Sequence, residues 1–387
     1  MTYADHPYSQ ILHKHPYQEC SRCLMDTSDP RITFDDKGVC NHCRKYDAYI
    51  AGIGDTHQRQ AKLDTLVAHL KRQGKGKPYD CIMGLSGGVD SSYLAWLAVK
   101  KLDLRPLVVH VDAGWNSELA VNNIQSIVQR LGLDLHTLVV DWEEIRDLQR
   151  AYFRAGIANL DVPQDHAFFA ALLKEARKYG IRDILNGGNM QTESILPEAW
   201  GYDASDSTSI KGIHDRFGSV RLKRYPMTSN LERLIINPYV RRMRSHRPLE
   251  YIDYNKDEAK ELLRSELGWR DYGGKHYESV FTKFFQAHYL PTKFGYDKRL
   301  AHLSSLIVSG QITKQQARAE MQSPLYDPIE LEEDRIYWVK KLGLTMDEYS
   351  QIMAARPSTY QDFPNSENGR LRRTMRMAAK VYRKVLR

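Results

Sequence analysis

The feature that most constrains the fold of this chain is a short segment of small residues between an apolar run and a helical pattern. Residues 86–92 have the sequence SGGVDSS; they follow the run Asp80–Leu85 and precede Tyr93–Val99, where apolar residues recur at helical spacing. A strand, a tight turn and a helix start form an anion site, because N–H groups at a helix N-terminus are unpaired and partly positive. The segment therefore predicts a phosphate site at the end of a strand.

Simpler explanations cover only part of this pattern. Asp90 and Ser91 could cap the helix of an ordinary turn. Two glycines, flanking hydroxyls and a carboxylate within seven residues favour a nucleotide site instead. The spacing differs from the GxxxxGK[ST] loop and from the GxGxxG of dinucleotide-binding folds. A carboxylate beside a pyrophosphate requires a metal ion between them, which also argues against a bare dinucleotide site.

SGGVDSS resembles the PP-loop of the ATP pyrophosphatases, which include GMP synthetases, asparagine synthetases and tRNA-thiolating enzymes. In that group the loop binds the pyrophosphate that is released when a substrate oxygen is adenylated. The resemblance implies ATP and Mg²⁺ as ligands, with Asp90 holding the magnesium ion. It implies ATP contacts from the residues of the loop itself, namely Ser86, Gly87, Gly88, Asp90, Ser91 and Ser92.

Strand and helix patterns alternate after the loop. The predicted strands are short apolar runs at 80–85, 106–111, 135–140 and 183–185. Near-continuous apolar strands that alternate with helices predict an α/β fold with a doubly wound parallel sheet. Ligands of such sheets bind at the carboxyl ends of the strands. We therefore expect SGGVDSS, the segment from Asp112 and the loop Gly187-Gly188-Asn189 to meet at one edge, where Asp112, Gly188 and Asn189 would also contact ATP.

Four of the five cysteines form two Cys-x-x-Cys pairs, separated by sixteen residues. This spacing is typical of a zinc ribbon, so we predict structural Zn²⁺, with an iron–sulfur cluster as the less favoured alternative, at Cys20, Cys23, Cys40 and Cys43. Cys81 lies within the first predicted strand and is expected to be a buried, unreactive thiol. No cysteine then remains for sulfur transfer.

Three regions are predicted from these patterns. Residues 1–55 form a zinc-ribbon module, 56–250 the ATP-binding domain, and 251–387 a helical region that completes the substrate site. Within the second region, residues 190–246 are predicted to be an insertion that covers the site. No run approaches the ~18 apolar residues of a membrane span, and the N-terminus lacks a signal-peptide pattern, so we expect a cytoplasmic protein.

The segment 273–285, GGKHYESVFTKFF, is dense in chemically active side chains. Glu278 is our candidate general base and His276 the second candidate. Lys275 or Lys283 is expected to neutralise the charge of the departing pyrophosphate. Helical spacing would place Lys275, Glu278 and Thr282 on one face. A core helix with a charged outer face is the alternative interpretation.

The cysteine pairs, SGGVDSS, LNGGN and GGKHYESVFTKFFQ, in this order, resemble the N-acetyl sugar amidotransferases of bacterial surface-polysaccharide synthesis, the WbpG type, over about residues 18–385. The resemblance implies ATP-dependent conversion of an acetamido group on a nucleotide-linked sugar, typically a UDP-sugar, into an acetamidino group for O-antigen. It also implies that a separate glutaminase and a cyclase-like, channel-forming partner deliver ammonia. The chain lacks an N-terminal catalytic cysteine of the Ntn glutaminase kind, which agrees with the delivery of ammonia by separate proteins.

Basic residues give the chain a formal net charge of +8, and Arg370–Arg387 contains eight of them. Apolar residues at helical spacing predict that this tail is a packed helix with a solvated basic face. Arg241, Arg242 and Arg244 could bind the diphosphate or a carboxylate of the sugar, since guanidinium forks match both, or could be a solvated charge run.

Two other functions are compatible with the loop. A tRNA-thiolating enzyme would need further cysteines, and none follows Cys81. A non-catalytic nucleotide-binding scaffold would not need Ser86, Gly87, Gly88 and Asp90 intact. We therefore expect an AMP- and pyrophosphate-forming ligase and do not expect nucleic acid as its partner.

Overall fold

A parallel sheet of five strands forms the centre of the computed structural model, which describes residues 16–273 and 277–367. The strands are β1 Cys81–Gly84, β2 Pro106–Asp112, β3 Leu135–Val139, β4 Asp183–Leu185 and β5 Arg244–His246. Their order in the sheet is β3-β2-β1-β4-β5, and every neighbouring pair is parallel. After β1 the chain adds β2 and then β3 on one side of β1. It then crosses to the other side of β1 and forms β4 and β5 there. A crevice at the carboxyl ends of β1 and β4 is therefore the expected ligand position.

Helices connect the strands and form the rest of the described chain. They are α1 Asn41–Ile53, α2 Thr56–Gln73, α3 Val89–Trp96, α4 Glu118–Leu131, α5 Trp142–Ala155, α6 Val162–Lys178, α7 Met190–Glu193, α8 Ser207–Phe217, α9 Lys256–Leu267, α10 Val280–Phe284, α11 Leu290–Phe294, α12 Lys298–Val308, α13 Lys314–Met321, α14 Pro328–Leu342 and α15 Met346–Ala354. Within the described ranges, no helix has the length and apolar character that a membrane crossing requires.

Both faces of the sheet are buried, which explains the continuous apolar strands. Met83 packs with α3 and α4, whereas its neighbour Ile82 packs on the opposite face with Leu172 and Ala176 of α6. Successive side chains of a strand point to opposite faces, so a strand covered on both sides needs an apolar residue at every position. The α/β fold with a parallel sheet is confirmed.

One strand was missed by the sequence analysis. Residues 244–246 lie inside the predicted insertion but pair in parallel with β4, in the register Asp183↔Arg244 and Leu185↔His246. The strand consists of Arg-Ser-His, so it lacks the apolar run that identifies the other four. That part of the predicted insertion therefore belongs to the sheet.

Two buried carboxylates of α5 attach the middle of this region to the domain. Glu144 accepts hydrogen bonds from the backbone N–H groups of residues 223–225, and Asp147 accepts from those of Ser219 and Val220. Buried acids are stable when backbone donors satisfy them. Residues 219–225 are thus fastened to α5.

The cysteine module packs against the C-terminal helices. Leu24 is buried against Leu303 of α12 and Ala317 of α13, and its N–H donates to Ser304 Oγ at 3.0 Å. Lys314 Nζ donates to the carbonyl of Cys20 at 2.7 Å. The two ends of the described chain therefore share one packed surface.

Aromatic side chains connect the C-terminal helices to the sheet. Trp115, which follows β2, contacts Phe281 of α10, and Phe281 stacks on Trp338 of α14 at 5.4 Å between ring centroids. All three rings are almost completely buried. This packing fixes the start of α10 beside the carboxyl edge of the sheet.

Candidate active site

The SGGVDSS loop joins β1 to α3 as the sequence predicts. Gly87 has φ +85°, a left-handed conformation that favours glycine. Its carbonyl accepts from Trp269 Nε1 at 2.8 Å and from Tyr272 Oη at 3.0 Å. Within the described chain, the N–H groups of Gly87 and Val89 have no acceptor. A fixed carbonyl with unpaired N–H groups at a helix start is the arrangement that binds phosphate.

The second glycine loop packs directly against this helix start. A Cβ placed on Gly187 would lie 3.3 Å from the backbone carbonyl of Asp90 and 3.4 Å from the N of Ser91. Asn189 is buried, and its side chain caps α7 by accepting from the N–H of Thr192 at 2.9 Å. The loops after β1 and β4 therefore meet, as expected, although the Asn189 side chain is occupied within its own loop.

The segment that contains Glu278 joins the same edge. The N–H of Ser117 donates to the carbonyl of Glu278 at 2.9 Å, and the N–H of Val280 donates to that of Trp115 at 3.1 Å. A Cβ on Gly88 would lie 3.4 Å from Glu278 Oε1. The Glu278 carboxylate thus lies beside the PP-loop, the position that its predicted role as general base requires.

The helix in this segment begins later than expected. Ser279 caps α10, which starts at Val280, so Glu278 precedes the helix and shares no helical face with Thr282. Lys275 and His276 lie outside the described residues. Asp112 ends β2 and accepts from the N–H of Gly114 at 2.7 Å.

Lys283 is paired with acids of α14. Its ammonium pairs with Glu330 and with Asp334 and lies 4.6 Å from the centre of the Tyr326 ring. The side chain is 11% exposed. Lys283 therefore faces α14 and is held there by two acids, and the role of Lys275 or Lys283 in neutralising pyrophosphate stays a prediction.

The arginine run lies at the other end of the sheet. Arg241 and Arg242 precede β5 and Arg244 begins it, so parallel pairing places them at the amino ends of the strands. Arg241 is bound to Asn237 Oδ1 at 2.8 Å. They do not line the crevice with the PP-loop, so their predicted contact with the diphosphate or a carboxylate of the sugar stays a prediction, beside the alternative of a solvated charge run.

Asp90 has a partner that the sequence analysis missed. Tyr254 Oη donates to Asp90 Oδ1 at 2.6 Å. Burial, and next the negative charge of Asp90, hold the pKa of Tyr254 well above its ordinary value. Tyr254 therefore remains a hydrogen-bond donor at physiological pH and orients the carboxylate predicted to hold magnesium. Ser92, by contrast, is fully buried, and its hydroxyl has no partner within the described chain.

Two further residues reach this edge from distant parts of the sequence. His110 of β2 bridges the Leu85 carbonyl, through Nδ1 at 3.0 Å, and Asn116 Nδ2, through Nε2 at 3.0 Å. Arg247, which follows β5, lies close enough that its Nε would be 3.9 Å from a Cβ on Gly188. Neither belongs to a motif, so only their positions near the end of a strand, His110 within β2 and Arg247 directly after β5, could have identified them.

Asp165 is a fourth missed residue, and its carboxyl group is perturbed. It lies in the first turn of α6, which runs antiparallel to the strands and so begins at their carboxyl edge. Asp161, one turn earlier, accepts from Thr282 Oγ1 at 3.0 Å, which ties this turn to α10. Asp165 is exposed, yet protein surrounds it closely enough that desolvation, followed by the charge of Asp161, raises its pKa to about 7. An accessible carboxyl group with such a pKa is typical of a cleft with acid–base function.

The four paired cysteines converge in a geometry that fits zinc. Their sulfurs lie within 4.8 Å of one another, with Sγ–Sγ distances of 3.9 Å for Cys20–Cys43, 3.8 Å for Cys23–Cys40 and 3.6 Å for Cys40–Cys43. A tetrahedral site with Zn–S bonds of about 2.3 Å separates its sulfurs by about 3.8 Å. All four side chains are buried, so a bound zinc ion would have a structural role. Cys81 is also buried, and desolvation raises the pKa of its thiol.

Two family models match this chain. Residues 61–161, which include the PP-loop, match NAD synthase, and residues 278–381 match the C-terminal domain of the LPS biosynthesis protein WbpG-like family. The chain is therefore similar to NAD synthase in the region of the PP-loop and to WbpG-like proteins in its C-terminal region. The segment with Glu278, α10 and α14 therefore belongs to a recognised unit.

This chain is also similar to a GMP synthase and to an NAD(+) synthetase. It is 26% identical over 186 residues to the glutamine-hydrolyzing GMP synthase of Pyrobaculum aerophilum, covering 48% of this chain and 32% of that protein. It is 33% identical over 73 residues to the glutamine-dependent NAD(+) synthetase of Aquifex aeolicus, covering 19% and 12%. The chain thus spans a third or less of these relatives.

A solved structure shows a distant likeness. The NH3-dependent NAD synthetase from Campylobacter jejuni aligns with 70% of the chain and 98% of its own length, at 12% identity and a TM-score of 0.35. This score is low, so the fold assignment depends on the strand order and the family models.

Proposed function

We propose that the WbpG-like chain is an ATP-dependent amidotransferase that converts an acetamido group of a nucleotide-linked sugar, in surface-polysaccharide (O-antigen) synthesis, into an acetamidino group. The observation that carries the proposal is the position of the Glu278 carboxylate beside Gly88 of the PP-loop. It brings a carboxylate of the WbpG-like domain to the position where the pyrophosphate group of ATP would bind. Activation and nitrogen addition would then share one crevice.

The first step is activation of the amide oxygen, which is otherwise a poor leaving group. The oxygen attacks the α-phosphorus of ATP, and pyrophosphate leaves, giving an O-adenylyl imidate. The N–H groups at the start of α3 stabilise the charge that develops on the pyrophosphate. Asp90, oriented by Tyr254, is the residue that would hold Mg²⁺, which supplies further neutralisation when bound.

The second step is the addition of ammonia to the activated carbon. The C–N bond forms, the C–O bond to AMP breaks, and the nitrogen loses a proton. Glu278 is the proposed acceptor of that proton, with His276 and Asp165 as the other candidates. Asp165 is supported by its place at the same edge and its pKa of about 7.

Ammonia must come from another protein in this proposal. All five cysteines are buried, and four of them are gathered in the zinc-binding arrangement. No thiol is therefore available for glutamine hydrolysis or for a sulfur relay. This inventory supports a glutaminase with a cyclase-like partner and weighs against the tRNA-thiolating alternative.

The test is a product assay with ATP, a UDP-N-acetyl sugar and an ammonium salt. We expect AMP and pyrophosphate, formed only when sugar and ammonia are both present. Glu278→Gln should lower amidine formation by about 10²- to 10⁴-fold, the usual contribution of a positioned base. The matched control is Glu261→Gln, an exposed glutamate of α9, which should keep full activity. Release of ADP and phosphate would reject the mechanism, and an active Glu278→Gln enzyme would reject the role of Glu278.

A further inference from the structure

A group of arginines at the amino ends of the strands has no part in the proposed function. They surround a cavity of about 290 Å³ whose lining residues are His69, Arg72, Gln73, Arg182, Asp183, Arg242 and Arg244. Three elements contribute: the last turn of α2, the start of β4 and the start of β5. Because all the strands are parallel, this cavity and the PP-loop lie at opposite edges of the sheet.

The charges in this cavity are not balanced by the protein. Within the described ranges, no carboxylate pairs with any of its four arginines. The single acid, Asp183, is buried, and its Oδ1 already accepts from His69 Nε2 at 3.1 Å and from His246 Nε2 at 2.8 Å. Like charges that face one concave space repel one another, so an anion in that space would be favourable.

A larger cavity of about 740 Å³ adjoins the first and shares His69, Arg72 and Arg244 with it. The rest of its wall includes Leu66 and Tyr251. A ligand with a phosphate at one end and a less polar body would therefore find complementary surfaces for both parts.

We propose that these joined cavities form a second anion site that binds a phosphorylated small molecule, separate from the ATP site. Guanidinium forks donate two hydrogen bonds to one phosphate, and several arginines can share its oxygens. The two histidines help by holding Asp183 away from the anion. A divalent cation on His69, Asp183 and His246 is disfavoured, because the neighbouring arginines would repel it.

The backbone at Arg242 supports a specific role for this edge. Arg242 has φ +56°, a left-handed conformation that is uncommon for a residue other than glycine. It lies two residues before β5 and lines the smaller cavity. Strained residues of this kind cluster at ligand sites.

Titration calorimetry on the full, zinc-loaded chain tests the proposal. The probes are inorganic phosphate and a sugar phosphate, with a non-hydrolysable ATP analogue occupying the PP-loop. We expect both probes to bind, and Arg72→Ala/Arg244→Ala to weaken them by about tenfold or more, since hydrogen bonds to charged groups are lost. The control Lys75→Ala/Arg221→Ala removes two exposed charges outside the cavities and should change affinity less than about twofold.

Four results would overturn the proposal. Absence of binding by both probes removes the site. Equal losses in the two double variants would show that only diffuse positive charge attracts the probes. Binding of Zn²⁺ that depends on His69 and His246 would identify a metal site. RNA binding with a steep salt dependence that is lost in Arg72→Ala/Arg244→Ala would identify a nucleic-acid surface. Arg242→Gln, which removes one exposed charge, provides a milder variant if the double substitution unfolds the chain.

Discussion

The two edges of the sheet use different chemistry to attract phosphate. At the carboxyl edge, the donors are backbone N–H groups of a glycine loop, and the nearby side chains Asp90 and Glu278 are acids. At the amino edge, the donors are guanidinium groups, and Asp183, the acid among the residues that line the smaller cavity, is bound by two histidines. Acids beside a phosphate suit a metal ion and proton transfer, whereas arginines suit binding alone. We therefore expect the chemical reaction to occur at the carboxyl edge, and the amino edge only to bind a ligand.

The largest effect expected from this comparison is that of Asp90→Asn. Loss of the carboxylate predicted to hold magnesium should lower pyrophosphate formation by about 10²- to 10³-fold, the usual cost of removing one charge-stabilising group. Phosphate binding at the amino edge should stay unchanged. The measurement is pyrophosphate release together with calorimetry on one preparation. A parallel loss at both edges would show that they are coupled or that the variant is misfolded.

Tyr254→Phe should have an intermediate effect. The substitution removes the 2.6 Å hydrogen bond to Asp90 while the ring stays buried. Hydrogen bonds to charged groups contribute about 1.5–3 kcal/mol, so we expect roughly a tenfold to hundredfold loss of kcat/KM. Tyr239→Phe, an exposed tyrosine that lines neither cavity, is the matched control and should leave kcat/KM intact. An unchanged rate in Tyr254→Phe would exclude the orienting role.

The smallest expected effect concerns the contribution of Asp165 to the pH dependence of activity and of stability. A base with a pKa of about 7 must lose its proton, so activity should rise as the pH increases through 7 and Asp165→Asn should flatten that rise. The folded pKa lies above the unfolded value of 3.8, so the native state binds more protons between about pH 4 and 7. Stability therefore falls as pH rises through this window, and the variant should lack the fall.

Rate profiles and urea unfolding between pH 5 and 9 measure both parts of this prediction. The control is Asp103→Asn, an exposed acid at the amino edge. If Asp165→Asn keeps the wild-type rate profile, Asp165 is not the base and Glu278 or His276 remains.

Local sequence patterns were sufficient to predict those structural features that are formed by residues close together in the chain. Strand, turn and helix around SGGVDSS depend on residues that are neighbours in the chain, and the cysteine pairs carry their own ligand spacing. Glu278 was also found from sequence, because GGKHYESVFTKFF resembles a family motif. By contrast, β5 was missed because its three polar residues have no apolar periodicity. The role predicted for Lys283 depended on the direction in which α10 faces, and packing against α14 sets that direction.

The sequence by itself determined the parallel α/β fold, the PP-loop, the cysteine cluster and the family. These features follow from hydrophobic periodicity and motif spacing, which act over a few residues. Only the tertiary structure decided which charged groups share a site. It placed Tyr254 on Asp90 and Asp165 near α10, and it separated the arginine run from the ATP edge. Electrostatic interactions depend on distance in space, and the strand order of the sheet sets that distance.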